Sequence, residues 1–229
     1  MTASLAEILV RPDIWRGVLA CAPLPGVASG FAALDAELPG GGWPRGALAE
    51  LLVDGAGLGE MSLLIPALTS VRETGGWSLL VAPPYPLHAP AWMAAGVDLA
   101  CLAVVSPASE RDALWAMEQA LASGAPRAVV GWASHADAHA LRRLQVAAVT
   151  GGALAFLYRP VGAAAAASAA PLRLRLTGTG EGKLSVQILK RRGPPATSPV
   201  SLALSRPARL RQHEHALAGH PATRHAVCA

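Results

Sequence analysis

The sequence predicts an α/β fold: a mostly parallel central sheet with helices on both faces, extended by a C-terminal antiparallel hairpin. Three observations predict it. Between Gly46 and Tyr158, short apolar runs alternate with segments of helical period, as strands buried on both faces and their crossover helices do. Near the C-terminus the period changes. Leu172-Arg173-Leu174-Arg175-Leu176 alternates strictly, as does much of Leu184–Leu189, which predicts a hairpin with one wet face. Finally, the run Asp54-Gly55-Ala56-Gly57-Leu58-Gly59 stands between an apolar strand and a helical segment, where α/β sheets bring backbone N–H groups to a ligand.

The elements follow in order. Ala3–Val10 reads as a short amphipathic helix with Leu5, Ile8 and Leu9 on one face, broken at Arg11-Pro12-Asp13. With the Pro23-Leu24-Pro25-Gly26 linker it forms an N-terminal segment, residues 1–27. A short helix after Gly30 runs into the turn Pro39-Gly40-Gly41-Gly42-Trp43-Pro44. The core, residues 28–160, has strands at Leu48–Val53, Trp77–Ala82, Leu102–Val105, Ala128–Trp132 and Leu154–Tyr158. Its helices are Met61–Val71, Pro90–Ala95, Glu110–Ala122 and Asp137–Val149. Ser109 is placed to cap the third of these and Gly124 to end it. Residues 161–171 are an alanine-rich linker, 172–205 the hairpin and one further strand, and 206–229 a basic tail that reads as disordered.

Composition excludes several classes. The chain is 52% hydrophobic, yet no apolar run approaches the roughly 20 residues of a membrane span. Glu7, Arg11 and Asp13 interrupt any signal-peptide pattern. Cys21, Cys101 and Cys228 are odd in number and far apart, which fits neither a disulfide framework nor a zinc site and points to a reducing cytoplasm. Charge is divided unevenly. Residues 1–170 hold 9 Arg and no Lys against 13 acids, a net of −4. Residues 171–229 hold 8 Arg and 2 Lys against 2 acids, a net of +8. Such asymmetry marks a nucleic-acid or acidic-partner contact, or a solvated tail.

The glycine run lacks the groups phosphate chemistry needs. A phosphate-binding loop requires a lysine for the β- and γ-phosphates and then a Ser or Thr hydroxyl for magnesium. Here Glu60 and Met61 follow Gly59, and no lysine precedes Lys183. Gly55, Gly57 and Gly59 therefore read first as a turn, and no cofactor is expected. His135 and His139 have chelating spacing without a third ligand, as does His213-Glu214-His215, so no metal is expected. No G-x-S-x-G elbow is present. Trp43, in a Gly/Pro turn, reads as the tryptophan exposed for a partner. Arg142 and Arg143 read as an exposed helix face, and Lys190, Arg191 and Arg192 with Arg206, Arg209 and Arg211 as a cationic contact surface.

The stretch from Ser29 to Gly46, the strand and glycine loop after it, Ala89–Asp98, Ser106–Gly124 and the strands of Leu172–Leu204 together resemble the ATP-binding core of RecA-like proteins. Leu38-Pro39-Gly40-Gly41-Gly42-Trp43-Pro44-Arg45-Gly46, Leu141-Arg142-Arg143-Leu144-Gln145 and Leu189-Lys190-Arg191-Arg192-Gly193 look like the ImuA family, RecA-like accessory proteins of a bacterial damage-inducible mutagenesis cassette. The resemblance covers roughly Ala28–Leu204. It puts the P-loop lysine on Glu60, the magnesium-holding strand-end aspartate near Trp132 and the water-activating carboxylate near Pro84, which implies a degenerate ATPase site and no enzyme. The loops that carry DNA in RecA reduce to Ala133–Asp137 and Pro160–Pro171.

The implied function is an adaptor in SOS-induced translesion synthesis, located in the cytoplasm with the nucleoid. Its implied partners are an inactive Y-family polymerase-like protein and, through it, an error-prone replicative-type polymerase and the sliding clamp. RecA filaments are a further implied target, any direct DNA binding is weak, and no membrane is involved. Two alternatives stay open: a SulA-like cell-division inhibitor acting on the tubulin-like division protein, and a weak nucleotide- or DNA-binding enzyme using a displaced cation.

Overall fold

The computed structural model describes residues 25–55, 57–180 and 182–204. The expected N-terminal helix at Ala3–Val10 and the tail from Arg206, with Arg209 and Arg211, lie outside them. One eight-stranded sheet organises the described residues, in the order β3-β2-β4-β5-β1-β6-β7-β8. Its strands are β1 (Ala47–Val53), β2 (Ser78–Val81), β3 (Leu102–Val105), β4 (Ala128–Trp132), β5 (Leu154–Pro160), β6 (Leu172–Gly178), β7 (Lys183–Lys190) and β8 (Val200–Ala203). β1 through β6 are parallel wherever they pair. β7 and β8 run antiparallel at the C-terminal side. The mostly parallel α/β sheet with a C-terminal antiparallel extension is the architecture the periodicity predicts.

The helices are α1 (Ala32–Asp35), α2 (Ile65–Glu73), α3 (Ala89–Ala94), α4 (Glu110–Ser123) and α5 (Ala138–Gly151). One core packs Leu64, Ala67, Leu68 and Val71 from the α2 region against Ala49 and Leu51 of β1 and the leucines of β6. The other packs Ala113, Met117 and Leu121 of α4 and Leu141, Leu144 and Ala148 of α5 against Leu48, Val129 and Leu157. β1 therefore sends alternate residues into two cores, which explains why its sequence is apolar at every position but Glu50.

Local chemistry sets the helix limits. The Ser109 hydroxyl accepts from Asp112 N–H at 3.1 Å, and Gly124 ends α4 at φ 64°. Asp137, expected as the first residue of α5, is instead its cap, accepting from Ala140 N–H at 2.7 Å. The helix expected over Met61–Val71 is divided. A 3-10 turn, Glu60–Leu63, precedes α2. Pro66 has no N–H to donate back to Ser62, and its ring crowds that carbonyl, so a continuous helix cannot form there.

The expected wet face of the hairpin does not exist at Arg173. Arg173 is 8% exposed, and its Nε donates to Glu50 Oε2 at 2.6 Å. Arg159 of β5 donates from Nη1 to Glu50 Oε1 at 2.7 Å. The Glu50 carboxylate, 0% exposed, is held between two guanidinium groups. The remaining donors tie down two loops. Arg159 Nη2 reaches the carbonyl of Ala136 at 2.6 Å, and Arg173 Nη2 and Nη1 reach Ala163 and Ala164 at 2.8 and 3.1 Å. The segment read as a linker thus folds back as a 3-10 turn, Val161–Ala165, with Ala170 fully buried. Its small side chains let its backbone carbonyls approach the charges they solvate.

Trp43 also departs from its expected place. It is 0% exposed and meets Phe156 edge-on, with ring centroids 5.1 Å apart. An antiparallel bridge to Val27 draws the turn inward, with N–H to O distances of 2.7 and 2.9 Å. Gly42 permits this approach, because a Cβ there would lie 2.3 Å from the Val27 carbonyl oxygen. Trp43 is a core residue and not the exposed tryptophan its Gly/Pro neighbours suggest.

Candidate functional site

The glycine loop leaves the end of β1, at the carboxyl edge of the parallel strands. Gly55, Gly57 and Gly59 all hold positive φ, at 91°, 83° and 84°, a conformation glycine adopts without steric cost. Gly59 leads directly into the 3-10 turn that begins at Glu60.

Two side chains of the same chain lie against the loop. Gly57 N–H points at Glu60 Oε1 at 3.4 Å, a long contact, and Glu60 Oε2 is buried without a partner. A carboxylate therefore lies where an anionic ligand would need to be. From the other side, Leu204, just beyond β8, presses on the loop. A Cβ on Gly59 would lie 2.4 Å from Leu204 Cδ1. Leu58 in turn lies against Gly178 of β6, where a Cβ would meet its Cδ2 at 3.0 Å.

Behind the loop lies an aromatic stack. The Tyr158 hydroxyl of β5 donates to the Glu60 carbonyl at 2.7 Å. Trp132, at the end of β4, stacks on Tyr158 with centroids 5.3 Å apart and planes 17° apart. Burial, and then the nearby charge of Glu60, push the Tyr158 hydroxyl well above its ordinary pKa. The hydroxyl is thus kept neutral and available as a donor. Glu60 and Trp132, singled out separately in the sequence, are joined here through Tyr158. Pro84 lines a shallow pocket of about 340 Å³ with Pro83, Tyr85 and Val104.

Among the described residues, the cationic run Lys190–Arg192 does not present one surface. Arg191 is folded in. Its Nη1 pairs with Glu37 Oε2 at 2.8 Å and also reaches the Glu37 carbonyl, while its Nε donates to Pro194 at 2.6 Å. That clamp fastens the end of β7 to the chain after α1, so Arg191 is engaged within the fold. Lys190 Nζ donates to the Ser168 carbonyl at 2.9 Å, and Arg192 is exposed. Arg143 pairs with Glu118 between α5 and α4 at 2.5 Å. Among the described residues no three His, Cys, Asp or Glu side chains gather as a metal site, and no helix is long and apolar enough to cross a membrane.

The sequence reading missed Tyr158 and the Glu50–Arg159–Arg173 cluster, and read Leu204 as an apolar anchor for a partner, whereas it lies against Gly59. A signal for the cluster was present: Glu50 is the one charged residue within the apolar run Leu48–Val53.

Fold and loop together define a class: a mostly parallel α/β domain with a glycine-rich turn after its first strand, flanked by Glu60 and Leu204. Within that class, residues 46–155 match the family model described as cell division inhibitor SulA. The chain is also 33% identical over 152 residues to the protein ImuA of Caulobacter vibrioides, covering 62% of each chain. It is 34% identical over 98 residues to the cell division inhibitor SulA of Photorhabdus laumondii, covering 43% of this chain and 55% of that one. The SulA of Citrobacter koseri is 33% identical over 104 residues, 45% of this chain and 62% of the relative. This chain spans less than two thirds of the length of each of these relatives. None of their names denotes an enzyme.

Proposed function

We propose that this protein is a non-catalytic RecA-like adaptor of damage-induced mutagenesis, acting by binding other proteins and not by hydrolysing nucleotide. The observation that carries the loss of catalysis is Glu60. Its carboxylate faces the N–H of Gly57 inside the glycine loop, so a phosphate entering there meets like charge. Leu204 occupies the remaining approach. The group at the end of β4 is an indole stacked on a phenol ring, which offers a magnesium ion no ligand. ATP hydrolysis needs positioned cations around the transferred phosphoryl group, and none of these three positions supplies one.

The mutagenesis role rests on the extent of similarity. The likeness to ImuA reaches 152 residues, against 98 and 104 for the two SulA proteins. On this reading the partner is an inactive Y-family polymerase-like protein, with an error-prone polymerase engaged through it. A second reading, division inhibition, is favoured by the SulA model match over residues 46–155. Co-purification separates the two. The tagged chain is expressed with the polymerase-like protein and, separately, with the tubulin-like division protein. The adaptor reading expects a stoichiometric complex with the first alone. A stable complex with the division protein alone reverses the assignment.

A further inference from the structure

The outer side of α4 and α5 carries more apolar surface than a solvated helix pair requires. Val146 and Val149 are 58% and 60% exposed and lie one turn apart on α5. Trp115 on α4 is 58% exposed. Scattered exposed hydrophobics are ordinary, but a group of them beside a groove marks an interaction site. Helix stability does not account for the valines, which are several tenths of a kcal/mol poorer helix formers than alanine.

A groove of about 320 Å³ lies between the two helices. Ala122 and Val146 line its apolar end, and Glu118, His139, Arg142 and Arg143 its polar end. The Arg143–Glu118 ion pair fixes the register of the helices. Trp115 is one turn before Glu118 and His139 one turn before Arg143, so both stand at the same level of the groove. Glu118, the one carboxylate in the lining, is already paired, through Arg143 Nη2 at 2.5 Å and Nε at 3.1 Å. Arg142 is exposed and has no ion-pair or hydrogen-bond partner among the described residues. The groove therefore presents an uncompensated cation beside Val146, with Trp115 and Val149 exposed on the same two helices outside its lining, on a body whose first 170 residues carry a net charge of −4.

We propose that the α4–α5 groove docks an acidic amphipathic helix of a partner protein. Its apolar side chains lie against Trp115, Val146 and Val149, and a carboxylate pairs with Arg142. The outer face of a helix pair offers no free backbone for strand addition, so recognition runs through side chains, and the one-turn spacing of the valines suits anchors at i, i+3 and i+4. The chain's own residues 206–229 are a poor occupant, with 4 Arg against 1 Glu. Nucleic acid is also a poor occupant, because backbone tracking needs several unpaired cations and this groove offers Arg142 beside a paired carboxylate. The surface is independent of the adaptor and inhibitor readings, so its test stands whichever of them holds.

The test uses the full chain, 15N-labelled and titrated with a synthetic helical peptide of about five turns carrying leucines on one face and glutamates on its flanks. Peptides with Gln or Lys for Glu, and a single-stranded oligonucleotide, are run beside it. Amide shifts are expected across residues 115–122 and 139–150, with affinity falling from Glu to Gln to Lys. Val146→Asp with Val149→Asp is expected to weaken binding roughly tenfold or more, and Arg142→Glu to invert the charge preference. Both changes lie on exposed positions, and unchanged circular dichroism confirms the fold. Absence of shifts on α4 and α5, equal affinity for the three peptides, or no effect of the valine changes would overturn the proposal. So would stronger shifts of the same amides by the oligonucleotide, or self-association of the free protein that the valine changes abolish.

Discussion

Two glutamates ten positions apart meet opposite fates. Glu50 lies in the middle of β1 and Glu60 just past the loop that follows it. Both Glu50 oxygens are taken by arginines, at 2.7 and 2.6 Å, and the residue is 0% exposed. Glu60 has one long contact to a backbone N–H, at 3.4 Å, and one buried oxygen with no partner. A carboxylate that holds a fold is fully satisfied, because burying an unpaired charge costs several kcal/mol. Glu60 is the under-satisfied carboxylate of the pair, and it sits at the exit of the glycine loop rather than inside a strand. The contrast distinguishes the structural acid from the one that changes what the loop can bind.

Substitutions sharpen the contrast in descending order of effect. Glu50→Gln leaves two buried guanidinium groups short of their counter-charge, and should cost about 3–5 kcal/mol in urea unfolding. Arg173→Met should act in the same direction and free the carbonyls of Ala163 and Ala164. Gly59→Ala should cost about 1–3 kcal/mol, because its φ is 84° and the new methyl meets Leu204. A Gly59→Ala variant as stable as wild type would mean that Leu204 does not seal the loop.

Tyr158→Phe should cost about 1 kcal/mol, the net worth of the hydrogen bond to Glu60. It also tests the pH dependence. The folded pKa of Tyr158 is raised by burial first and by the Glu60 charge second. Its stabilisation is therefore complete below the unfolded tyrosine pKa of about 10 and is lost as pH rises through the folded value. The stability gap between wild type and Tyr158→Phe should close, then reverse, above about pH 10. A gap independent of pH would place the hydroxyl in water. Glu60→Gln should have the smallest effect and the opposite sign, stabilising by under about 1 kcal/mol, because it removes the charge from a carboxylate whose buried oxygen has no partner. An effect as large as that of Glu50→Gln would erase the distinction between the two acids.

The two regions were also unequally legible in sequence. The period of the strands placed β3 and β4 without error, and Ser109 and Gly124 marked both ends of α4. The glycine loop and Glu60 were legible because they are contiguous. The Glu50 cluster was not, since its members lie 109 and 123 positions apart. Leu-Arg alternation in β6 reads as one wet face until a second segment covers it, and that cover is the tertiary packing of residues 161–171. Trp43 misled for a related reason. Its Gly/Pro neighbours mark a surface turn, yet the bridge to Val27 turns the ring onto Phe156. Lys190, Arg191 and Arg192 read as one cationic run, but successive side chains at a strand end point different ways. They reach Ser168, Glu37 and solvent respectively.

The most direct test of a glycine loop closed by its own carboxylate is a calorimetric titration of the purified full chain with ATP and magnesium. No saturable binding is expected up to millimolar nucleotide, and no turnover above background. Binding in the micromolar range, abolished by Gly59→Ala at a temperature where that variant remains folded, would contradict it.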